Sequence, residues 1–584
     1  MTARRLLVLS LFSLVSTSAS LAQGALAAPP PKREVRAVWI TTVNGLDWPK
    51  STDRNEQQQS LRQILDRLQQ AHFNTIFFQV RGRGDALYRS TYEPWSNILT
   101  GSLGQDPGWD PLQFVLDEAH RRGIEVHAWI NTFLIKSSRL ETPETSPRHI
   151  VLSHPEWLHL VDGEYWLDPG IPAVRKYLLS VVLDIARNYQ VDGIHFDFIR
   201  YPGKPFPDES TFRKYGGSLA KEEWRRENIN SFVRTCYEEA TKLKPLMKIG
   251  SAPIGIYTNF GNVRGLQGYS DLFQDSREWL RMLIHDYLCP QVYWSLGDQH
   301  ADPDFAAVAG DWMEHAVGRD IYIGIGAYKP EVHGQLPDLI DLSRRLHAGG
   351  QSFFRYDNIQ DALTLGGRYR FLANIPPMKW KDSIPPNPPR NLQVTNLHDG
   401  VFKLEWGAPA SAPDGDNAAY YNIYRAARSP VDVSDPANIL AITPVPAPLY
   451  IDSIAHPRGS KYYYAVSAFD KGNNESTPTA EQVVLMPDII KLAKQFELQS
   501  RLGRHFPEPA SSIVYIPYEL RAASPVFVKI LDQSNREVAN VVDAVQEPGS
   551  YIAAVDISTL KRGEYSWLFI AGQHSERKPL QIRN

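Results

Sequence analysis

Residues 190–202 read Gln190-Val191-Asp192-Gly193-Ile194-His195-Phe196-Asp197-Phe198-Ile199-Arg200-Tyr201-Pro202, and this stretch carries the pattern that decides the fold. At its centre the apolar side chains of Ile194 and Phe196 alternate with the polar side chains of His195 and Asp197. Alternation with a period of two predicts a β-strand that packs under helices on one face and points inward on the other. Helical patterns lie on both sides of this strand. Together they predict one β/α unit of a larger α/β fold.

The same unit recurs along the chain from Val35 to about Ala373. Short β-branched or aromatic runs predict strands at 35–42, 75–81, 125–132, 193–200, 248–253, 288–294, 321–327 and 352–356. Apolar residues at helical spacing predict helices near 61–68, 112–122, 173–189, 224–243, 279–284, 305–315, 339–348 and 363–373. Eight strands that are each followed by a helix predict a (β/α)8 TIM-type barrel over residues 33–375.

Loop lengths support the barrel independently. The predicted helix-to-strand turns at 72–74, 123–124 and 190–192 are short, whereas the strand-to-helix loops at 82–110, 133–172 and 201–221 are long. A barrel enzyme carries its chemistry on the loops that follow the strands. The asymmetry therefore predicts a functional site at the carboxyl ends of the strands. We call that end of the barrel the mouth and the opposite end the floor.

Beyond the barrel the sequence changes to strands and turns. A proline-rich segment, 376–389, predicts a semi-rigid extended linker. Alternating strands such as Phe402–Trp406, Tyr420–Arg425 and Lys461–Phe469 predict a β-sandwich over 385–485, which resembles a fibronectin type III domain. Strand patterns in the tail predict a second, immunoglobulin-like sandwich over 489–584. We expect these two all-β sandwich domains to space, anchor or bind rather than to catalyse.

The N-terminus has the order of features of a secretory signal peptide. Arg4 and Arg5 precede an apolar run, 6–15, and small residues follow up to Ala27. The apolar run is about half as long as the roughly 20 residues that span a membrane. We therefore predict that residues 1–27 are a cleaved signal peptide and that no membrane span remains after cleavage. We expect export to the periplasm, the cell envelope or the extracellular space.

The composition of the chain restricts the classes of binding partner and of metal site that are expected. The 584-residue chain has 62 Lys and Arg against 65 Asp and Glu, a formal charge of −3, and it lacks a long basic block. Non-specific binding to nucleic acid is therefore not expected. Its two cysteines, Cys236 and Cys289, are too few for a disulfide framework or a thiolate zinc cluster.

Polar side chains are predicted to collect inside the barrel. Because side chains alternate between the two faces of a strand, one set is predicted to face the barrel interior. This set is Gln79, Arg81, Glu125, His127, Trp129, Asn131, His195, Asp197, Gln291, Tyr293, Arg355 and Asp357. A buried charge is costly unless it is paired or used. Because many of these residues end their strands, we expect them to form a catalytic mouth.

Asp197 is the first candidate for a catalytic carboxylate, because it ends the fourth strand. It can act as nucleophile or general acid, and Arg200 or His195 can tune its ionisation. Ordinary glycoside hydrolysis needs a second carboxylate roughly 5 to 9.5 Å away. We rank Asp85 first for that role because it neighbours Arg81 at an inward-facing strand end. The alternatives are Glu164, Asp168 and Asp357.

Aromatic residues lie at strand ends and in the long loops. The apolar faces of sugars stack on such rings, while neighbouring amide and guanidinium groups bind hydroxyls. The combination favours a carbohydrate-binding cleft. The predicted substrate-binding residues are Trp39, Arg81, His127, Trp129, Asn131, His195, Arg200, Gln291, Tyr293, Trp294 and Asp357.

Several motifs mark the barrel region. In order they include Arg36-Ala37-Val38-Trp39-Ile40, Phe78-Gln79-Val80-Arg81, His127-Ala128-Trp129-Ile130-Asn131, Trp166-Leu167-Asp168-Pro169-Gly170, Asp192-Gly193-Ile194-His195-Phe196-Asp197 and Pro290-Gln291-Val292-Tyr293-Trp294. Over residues 33–375 this series resembles the glycosyl-hydrolase-like family 10 of exported bacterial proteins. The resemblance implies a (β/α)8 glycosidase, and the member linked to cell division acts on peptidoglycan glycan strands stripped of peptides. A common form of the fourth-strand motif carries a second Asp, where this chain has Phe198-Ile199-Arg200-Tyr201-Pro202.

Three interpretations follow. The first is an exported glycoside hydrolase with a glycan substrate, peptidoglycan strands above all, and with no cofactor or metal. The second is a metal-dependent hydrolase with His127, His195, Asp197 and Asp85 as ligands, although the first strand lacks the usual H-x-H pair. The third is a non-catalytic glycan-binding envelope protein. Metal analysis separates the second interpretation from the first, and turnover on glycan separates the third.

Overall fold

The computed structural model describes residues 27–297, 303–398, 400–444, 448–454, 461–485, 500–508, 510 and 513–583. The predicted signal peptide therefore lies outside the described residues, except for Ala27. Within the described ranges, no helix combines the length and the apolar character needed to cross a bilayer.

The N-terminal part of the described chain is a closed barrel of parallel strands. The strands, numbered one to eight in chain order, are Val35–Ile40, Thr75–Arg81, Glu125–Asn131, Gly193–Asp197, Lys248–Ser251, Tyr287–Leu288 continued by Gln291–Val292, Asp320–Ile325 and Gly350–Phe353. Strand six is interrupted at Pro290, which has no N–H for the ladder. Strand eight pairs with strand one, where Val35 lies opposite Gly350, and this pairing closes the sheet. The predicted TIM-type barrel is confirmed.

Helices follow strands one to seven. They are Arg54–Gln70, Pro111–His120, Pro172–Asn188, Lys221–Leu243, Ser276–Arg281, Phe305–Glu314 and Leu336–Arg345. The first is capped by Asp53, whose carboxylate accepts two backbone N–H groups of the first turn. The helix predicted near 363–373 is wrong, because that segment holds only the 3-10 turn Leu365–Gly367. Gly366 and Gly367 have φ angles of 57° and 76°, a conformation that ends a helix.

The loops at the mouth contain additional short elements. A three-stranded antiparallel sheet follows strand three, formed by Leu134–Ser137, Leu158–Val161 and Glu164–Leu167. Short helices are Ile150–Ser153, Glu209–Tyr215, Gly268–Asp271 and Pro330–His333. All of these elements lie in strand-to-helix loops, so the described insertions build up the mouth rather than the floor.

The described barrel has two apolar cores, one on each face of its sheet. The larger core lies between the helices and the outer face of the sheet. The smaller core fills the barrel and includes Val35, Ala37, Trp39, Phe77, Trp129, Tyr287, Cys289 and Tyr322. The interior is therefore packed with side chains below the mouth, as is usual for barrels of this size.

Beyond the barrel the described chain forms antiparallel sheets. The first β unit, residues 390–485, has one sheet of Arg390–His398, Val401–Gly407 and Leu449–Ser453 and one of Tyr420–Ala426, Ile439–Pro444, Lys461–Phe469 and Gln482–Leu485. The second β unit, residues 501–582, has one sheet of Arg501–Leu502, Ile513–Leu520 and Gly549–Asp556 and one of Ser524–Leu531, Glu537–Gln546, Gly563–Ala571 and His574–Ile582. Each unit has its own apolar cluster. The sandwich, fibronectin and immunoglobulin assignments, with their boundaries, stay predictions.

The first β unit packs against the floor of the barrel. Glu475 forms an ion pair with Lys32 at 2.5 Å, just before strand one. Asn473 donates a hydrogen bond at 3.3 Å to Glu125, the first residue of strand three. These contacts cover the end of the barrel that is remote from the mouth.

The linker also contacts the floor. Trp380 donates its indole N–H to Asp286 at 2.8 Å, and Lys381 pairs with the same carboxylate at 3.0 Å. Asp286 immediately precedes strand six and is fully buried. The proline-rich segment is therefore fixed to the barrel at this point.

Candidate active site

Asp197 lies at the mouth as the last residue of strand four. Its carboxylate accepts the N–H of Phe198 at 2.7 Å and belongs to none of the ion pairs formed by the described residues. Burial raises the pKa of Asp197 from 3.8 to about 6, although the Phe198 N–H, the charge of Arg200 and the indole of Trp129 each act to lower it. A carboxyl group that keeps its proton up to about pH 6 can donate it to a leaving group.

The backbone turns sharply after Asp197. Phe198 has a φ of 49°, in the left-handed region that few non-glycine residues adopt. The turn directs the N–H of Phe198 back to the Asp197 side chain, while the Asp197 carbonyl accepts the N–H of Thr132. The Asp197 side chain is therefore held by the N–H of the next residue, and its main chain is held by the residue that follows strand three. Uncommon backbone conformations of this kind cluster at functional sites.

Aromatic rings stand beside Asp197. Tyr293 stacks on Phe354 with 5.7 Å between ring centroids, and Tyr328 lies edge-on to both rings at 6.0 and 6.1 Å. Burial raises the pKa of Tyr293 well above its usual value, and the charge of Asp197 raises it further. Tyr328 is 48% exposed. We call Tyr293, Tyr328 and Phe354 the aromatic wall, a partly open apolar surface of the kind on which sugar rings stack.

Arg200 is held near Asp197 by aromatic rings. Its guanidinium lies 5.6 Å from the centroid of Trp166 and 5.1 Å from that of Phe198. Burial lowers the pKa of Arg200, and Asp197 acts in the opposite direction. Its one described hydrogen bond is a 3.4 Å contact with the carbonyl of Tyr201. A guanidinium has five N–H donors, so most of them are free to bind a ligand.

Trp129 brings an unused hydrogen-bond donor to the same place. Its side chain is 2% exposed, and its indole N–H meets no partner with hydrogen-bond geometry among the described residues. That N–H still lies close enough to Asp197 to favour the ionised carboxylate. The ring lies edge-on to Phe354 at 6.4 Å. A buried donor without a partner costs free energy, which a ligand hydroxyl in the mouth would offset.

Three predicted binding residues lie below the mouth, inside the barrel. Trp39, His127 and His195 are 1%, 1% and 0% exposed. The Trp39 indole donates to Nε2 of His195 at 3.0 Å, so Nδ1 of His195 carries the proton and donates to the Tyr287 hydroxyl at 3.0 Å. That hydroxyl donates to Nδ1 of His127 at 2.7 Å, which leaves the Nε2–H of His127 to bond Glu125 at 3.3 Å.

This interior chain of hydrogen bonds is complete. Burial, with the neighbouring His127 and His285, keeps the pKa of His195 well below its usual 6.5, so the ring is neutral. Its face stacks on Phe77 at 4.0 Å between centroids. In this structure the residues of this hydrogen-bonded chain hold the core together and offer no exposed surface to a substrate.

Arg81 and Asn131 are engaged by the protein. Arg81 is fully buried and forms a bidentate ion pair with Glu93, the shortest contact being 2.7 Å. Burial alone would lower the pKa of Arg81, but Glu93 raises it above the usual value. The Asn131 amide donates to the carbonyl of Gly82 at 3.0 Å. These contacts brace the loop that follows strand two.

Asp85 lies in that loop. It is 4% exposed and accepts the N–H of Arg83 at 2.8 Å. The side chains of Lys136 and His149 are close to Asp85. Burial lowers the pKa values of Lys136 and His149, and the negative charge of Asp85 partly opposes this effect for both. No described contact joins Asp85 to Asp197. Its assignment as the second catalytic carboxylate stays a prediction.

The other candidate carboxylates differ in their surroundings. Asp168 is fully buried and accepts hydrogen bonds at 2.6 and 2.8 Å. Asp357 pairs with Lys50 at 2.8 Å and with Arg355 at 3.3 Å. Glu164 is half-buried at the start of its short strand. Asp168 and Asp357 are therefore more heavily engaged than Asp85.

Gln291 and Trp294 are half-buried at the end of strand six. The Gln291 amide donates to the carbonyl of Ala252 at 3.3 Å. Trp294 packs against the outer apolar core rather than the aromatic wall. Of the aromatic residues predicted to bind substrate, Tyr293 and Trp129 are thus the two that lie beside Asp197.

The four ligands of the metal-dependent alternative are not brought together. His127 and His195 share the Tyr287 hydroxyl within the barrel, whereas Asp85 and Asp197 lie in separate surroundings. In the part of the chain that the structure describes, these residues form no cluster with metal-ligand spacing. The geometry does not favour this alternative.

Sequence reasoning missed several residues at this end of the barrel. Asp47 is 3% exposed and accepts the backbone N–H of Thr41 at 2.7 Å and the guanidinium of Arg355 at 2.6 Å. Burial raises its pKa, against the effect of these partners. Phe354 and Tyr328 complete the aromatic wall. Asp47 and Tyr328 lie in loops, where no periodic pattern shows which way a side chain points.

The chain is similar to known glycosyl hydrolases. The family model described as glycosyl hydrolase-like 10 matches residues 34–336. Glycosyl hydrolase YngK of Bacillus subtilis (strain 168) is 32% identical over 480 residues, which cover 76% of this chain and 92% of that protein. Glycosyl hydrolase DigH of Escherichia coli (strain K12) is 34% identical over 374 residues, which cover 56% of this chain and 84% of that protein. The catalytic domain of a β-amylase from Paenibacillus polymyxa aligns with a TM-score of 0.40 and 12% identity over 57% of this chain and 94% of that one, which is too distant to bear on function.

Proposed function

The chain belongs to the glycosyl hydrolase-like 10 family, and from that premise we propose that it is an exported glycoside hydrolase that cleaves peptidoglycan glycan strands. The observation that carries the proposal is the mouth carboxyl of Asp197, which has no ion-pair partner among the described residues and a pKa raised to about 6. Family membership supports glycosidase chemistry, and the aromatic wall supports a sugar-binding cleft.

Asp197 acts as the proton donor in this proposal. Cleavage of a glycosidic bond requires a proton on the departing oxygen, and a carboxyl group in an apolar site supplies it near neutral pH. After the transfer the carboxylate is stabilised by the Phe198 N–H and the positive charge of Arg200. Both protonation states are therefore accommodated without rearrangement of an ion pair.

Substrate binding falls to the residues around Asp197. The aromatic wall stacks against a sugar ring, and the unpartnered Trp129 N–H binds a hydroxyl. Glycan strands stripped of their peptides carry free lactyl carboxylates. Arg200, whose guanidinium has few protein partners, suits such a group through charge-assisted hydrogen bonds. This match favours denuded peptidoglycan over a neutral polysaccharide.

Asp85 is our first choice for the second carboxylate. It is buried and accepts one described hydrogen bond, so its carboxylate keeps free lone pairs for a water or a sugar. Asp168 and Asp357 have more protein partners, and Glu164 lies on a short strand without a described side-chain contact. Export rests on the signal-peptide pattern of residues 1–27.

The decisive experiment is hydrolysis of denuded peptidoglycan strands, followed by mass analysis of the products and compared with a panel of neutral polysaccharides. We expect turnover by the wild-type chain and loss of turnover in Asp197→Asn. The matched control is Asp361→Asn, because the Asp361 side chain is 74% exposed. Binding of denuded strands without turnover would favour the non-catalytic alternative. Turnover by Asp197→Asn close to that of wild type would remove Asp197 from the mechanism.

A further inference from the structure

A cavity of about 220 Å³ lies in the loop that follows strand two. Its lining comes from residues 88–106 of that loop and from Ser146 and Pro147 of the next long loop. The volume corresponds to about seven water molecules, or to about one sugar residue. Neither Asp197 nor any residue of the aromatic wall lines it, so the cavity is distinct from the site at the mouth.

Tyr88 brings a hydroxyl group without a hydrogen-bond partner to this cavity. The residue is 0% exposed, and its hydroxyl meets no partner with hydrogen-bond geometry among the described residues. Burial raises the pKa of Tyr88 well above its usual value, the charge of Glu93 raises it further, and Ser90 acts to lower it. The hydroxyl therefore stands beside Glu93 and Ser90, which also line the cavity. A buried hydroxyl without a partner costs free energy, which a ligand in the cavity would offset.

Glu93 supplies a fixed hydrogen-bond acceptor. Its side chain is fully buried, and Arg81 holds it in a bidentate ion pair. Oε1 also accepts the Tyr177 hydroxyl at 2.9 Å, whereas Oε2 accepts only Nε of Arg81, at 2.8 Å, among the described residues. A carboxylate oxygen has two lone pairs, so Oε2 can accept a ligand hydroxyl and keep its present partner.

The rest of the lining suits an uncharged ligand with an apolar face. Trp95 is half-buried and offers an indole ring. Arg89 and Asp106 are exposed and carry opposite charges. Since the charge of Glu93 is balanced by Arg81, the lining carries no net charge. A pyranose combines the matching properties, because its hydroxyls bind polar side chains while its apolar face stacks on an aromatic ring.

We propose that this cavity binds one uncharged sugar residue, with Trp95 against the ring and with Tyr88 and Glu93 on its hydroxyls. A peptidoglycan strand alternates N-acetylglucosamine with a sugar that carries a lactyl carboxylate. The cavity takes the first of these, because a carboxylate beside Glu93 would be repelled. The choice of N-acetylglucosamine rests on the proposed function, whereas the sugar site itself does not.

The cavity is joined to the mouth by hydrogen bonds. Arg81, which pairs with Glu93, also donates to the carbonyl of Thr132 at 3.1 Å. The N–H of Thr132 in turn donates to the carbonyl of Asp197 at 2.8 Å. The cavity therefore gives a long glycan a second contact that is fixed relative to the proposed catalytic carboxyl.

The test measures binding without turnover, so its result does not depend on whether Asp197 catalyses. The methyl β-glycoside of N-acetylglucosamine is titrated into the full-length chain, and saturation-transfer NMR and calorimetry give its dissociation constant. Tyr88→Phe removes the unpartnered hydroxyl and keeps the ring. It should bind the glycoside about three- to tenfold more weakly, with an unchanged or higher melting temperature. Tyr565→Phe, in the second β unit, is the matched control and should bind as wild type does.

A second variant and a second ligand extend the test. Trp95→Ala removes the stacking ring and should weaken binding by about tenfold. The methyl β-glycoside of N-acetylmuramic acid carries the lactyl carboxylate and should bind wild type at least about tenfold more weakly than the uncharged glycoside does.

Four outcomes would overturn the proposal. The first is the absence of saturable binding of the uncharged glycoside. The second is binding that Tyr293→Ala abolishes and Tyr88→Phe leaves unchanged, which would put the sugar on the aromatic wall. The third is equal affinity for the two glycosides, which would show no selection for an uncharged sugar. The fourth is a lower melting temperature of Tyr88→Phe, which would show that the hydroxyl already bonds the protein.

Discussion

Glu125 at the floor and Asp197 at the mouth are half-buried carboxyl groups of the same barrel, yet their pKa values move in opposite directions. Burial acts to raise both values. At the floor, Lys248 lies 2.6 Å from Glu125 and, with His127, brings its pKa below the usual value. At the mouth, Arg200 stays outside ion-pair distance, and the pKa of Asp197 remains raised to about 6.

Two further carboxylates at the floor are paired as Glu125 is. Asp286 pairs with Lys381 at 3.0 Å, and Glu34 pairs with Arg344 at 2.7 Å. Each of these carboxylates is 0% to 1% exposed. Asp320, which begins strand seven, is the exception at the floor, because burial raises its pKa to about 6 although the charge of Lys248 acts to lower it. The comparison teaches that burial without an ion-pair partner raises the pKa of a carboxyl group at either end of the barrel, and that position at the mouth is what makes Asp197 the candidate for chemistry.

The largest effect is expected for Asp197→Asn, which removes ionisation and proton transfer but keeps the size of the side chain. Turnover of denuded glycan should fall at least about 100-fold, because general acid catalysis is typically worth that much. Binding of the same glycan should be retained, since the aromatic wall is untouched. Steady-state kinetics and equilibrium binding measure the two effects. A variant that loses binding and turnover together would mean that Asp197 shapes the cleft rather than reacts.

Breaking a floor pair should affect stability and not turnover. Lys248→Met leaves Glu125 buried without its cation, and loss of one partner of a buried pair costs about 3–5 kcal/mol. Denaturant unfolding measures the loss, and kcat of the folded fraction should stay near the wild-type value. The matched control is Lys242→Met, because the side chain of Lys242 is 68% exposed. A fall in kcat as large as that in Asp197→Asn would contradict the assignment of the floor pair to stability and of the mouth carboxyl to catalysis.

The pH dependence of stability sharpens the same contrast. Because the pKa of Asp197 is raised from 3.8 to about 6 on folding, its contribution favours the folded state below about pH 4 and is lost as pH rises through about 6. Because Asn does not ionise, Asp197→Asn does not lose stability as pH rises through about 6. The variant should therefore be more stable than wild type at pH 7, by at most about 3 kcal/mol. Unfolding of both proteins across this pH range measures the difference. A constant difference at all pH values would contradict the raised pKa.

The same pKa predicts the pH profile of the reaction. If Asp197 donates a proton, kcat/KM should fall as pH rises above about 6, since the free enzyme then loses the acid form. A rate that instead falls below about pH 6 would assign Asp197 as nucleophile or base. The profile therefore decides between the two roles that the sequence left open.

The smallest effect is expected at the aromatic wall. Tyr293→Ala removes the ring that stacks on Phe354 and should weaken glycan binding by about tenfold or less, the usual worth of one aromatic contact. Tyr293→Phe keeps the ring and should bind within a few-fold of wild type. Equal losses in the two variants would show that the hydroxyl, rather than the ring, contacts the glycan.

Much of the barrel could be predicted from sequence, because each strand is short, apolar on one face and followed by a helical pattern. Periodicity also gave the correct inward direction for His127, His195 and Asp197. It could not give depth along the barrel axis. His127 and His195 stand one layer or more below Asp197 and belong to the packed interior. Depth depends on the register between strands, which a single strand does not encode.

Other features depend on contacts between segments that are far apart in sequence. Arg81 ends a strand and is predicted to bind substrate, but the loop that follows brings Glu93 to it. Asp47 reaches Arg355 across more than 300 residues. The packing of the first β unit on the floor likewise rests on Glu475 and Lys32. Local pattern carries no information on such pairings, since each partner alone is an ordinary charged residue.

The position of the first β unit has a practical consequence for attachment. The unit is fixed to the floor, and the second β unit contacts it through a 2.8 Å hydrogen bond from Ser453 to the carbonyl of Ser550. A bead, a display scaffold or a cell surface joined to the C-terminus would therefore hold the barrel by its closed end. The cleft would then point outward, where a long insoluble polymer can reach it. Immobilisation through the loops at the other end would block that access.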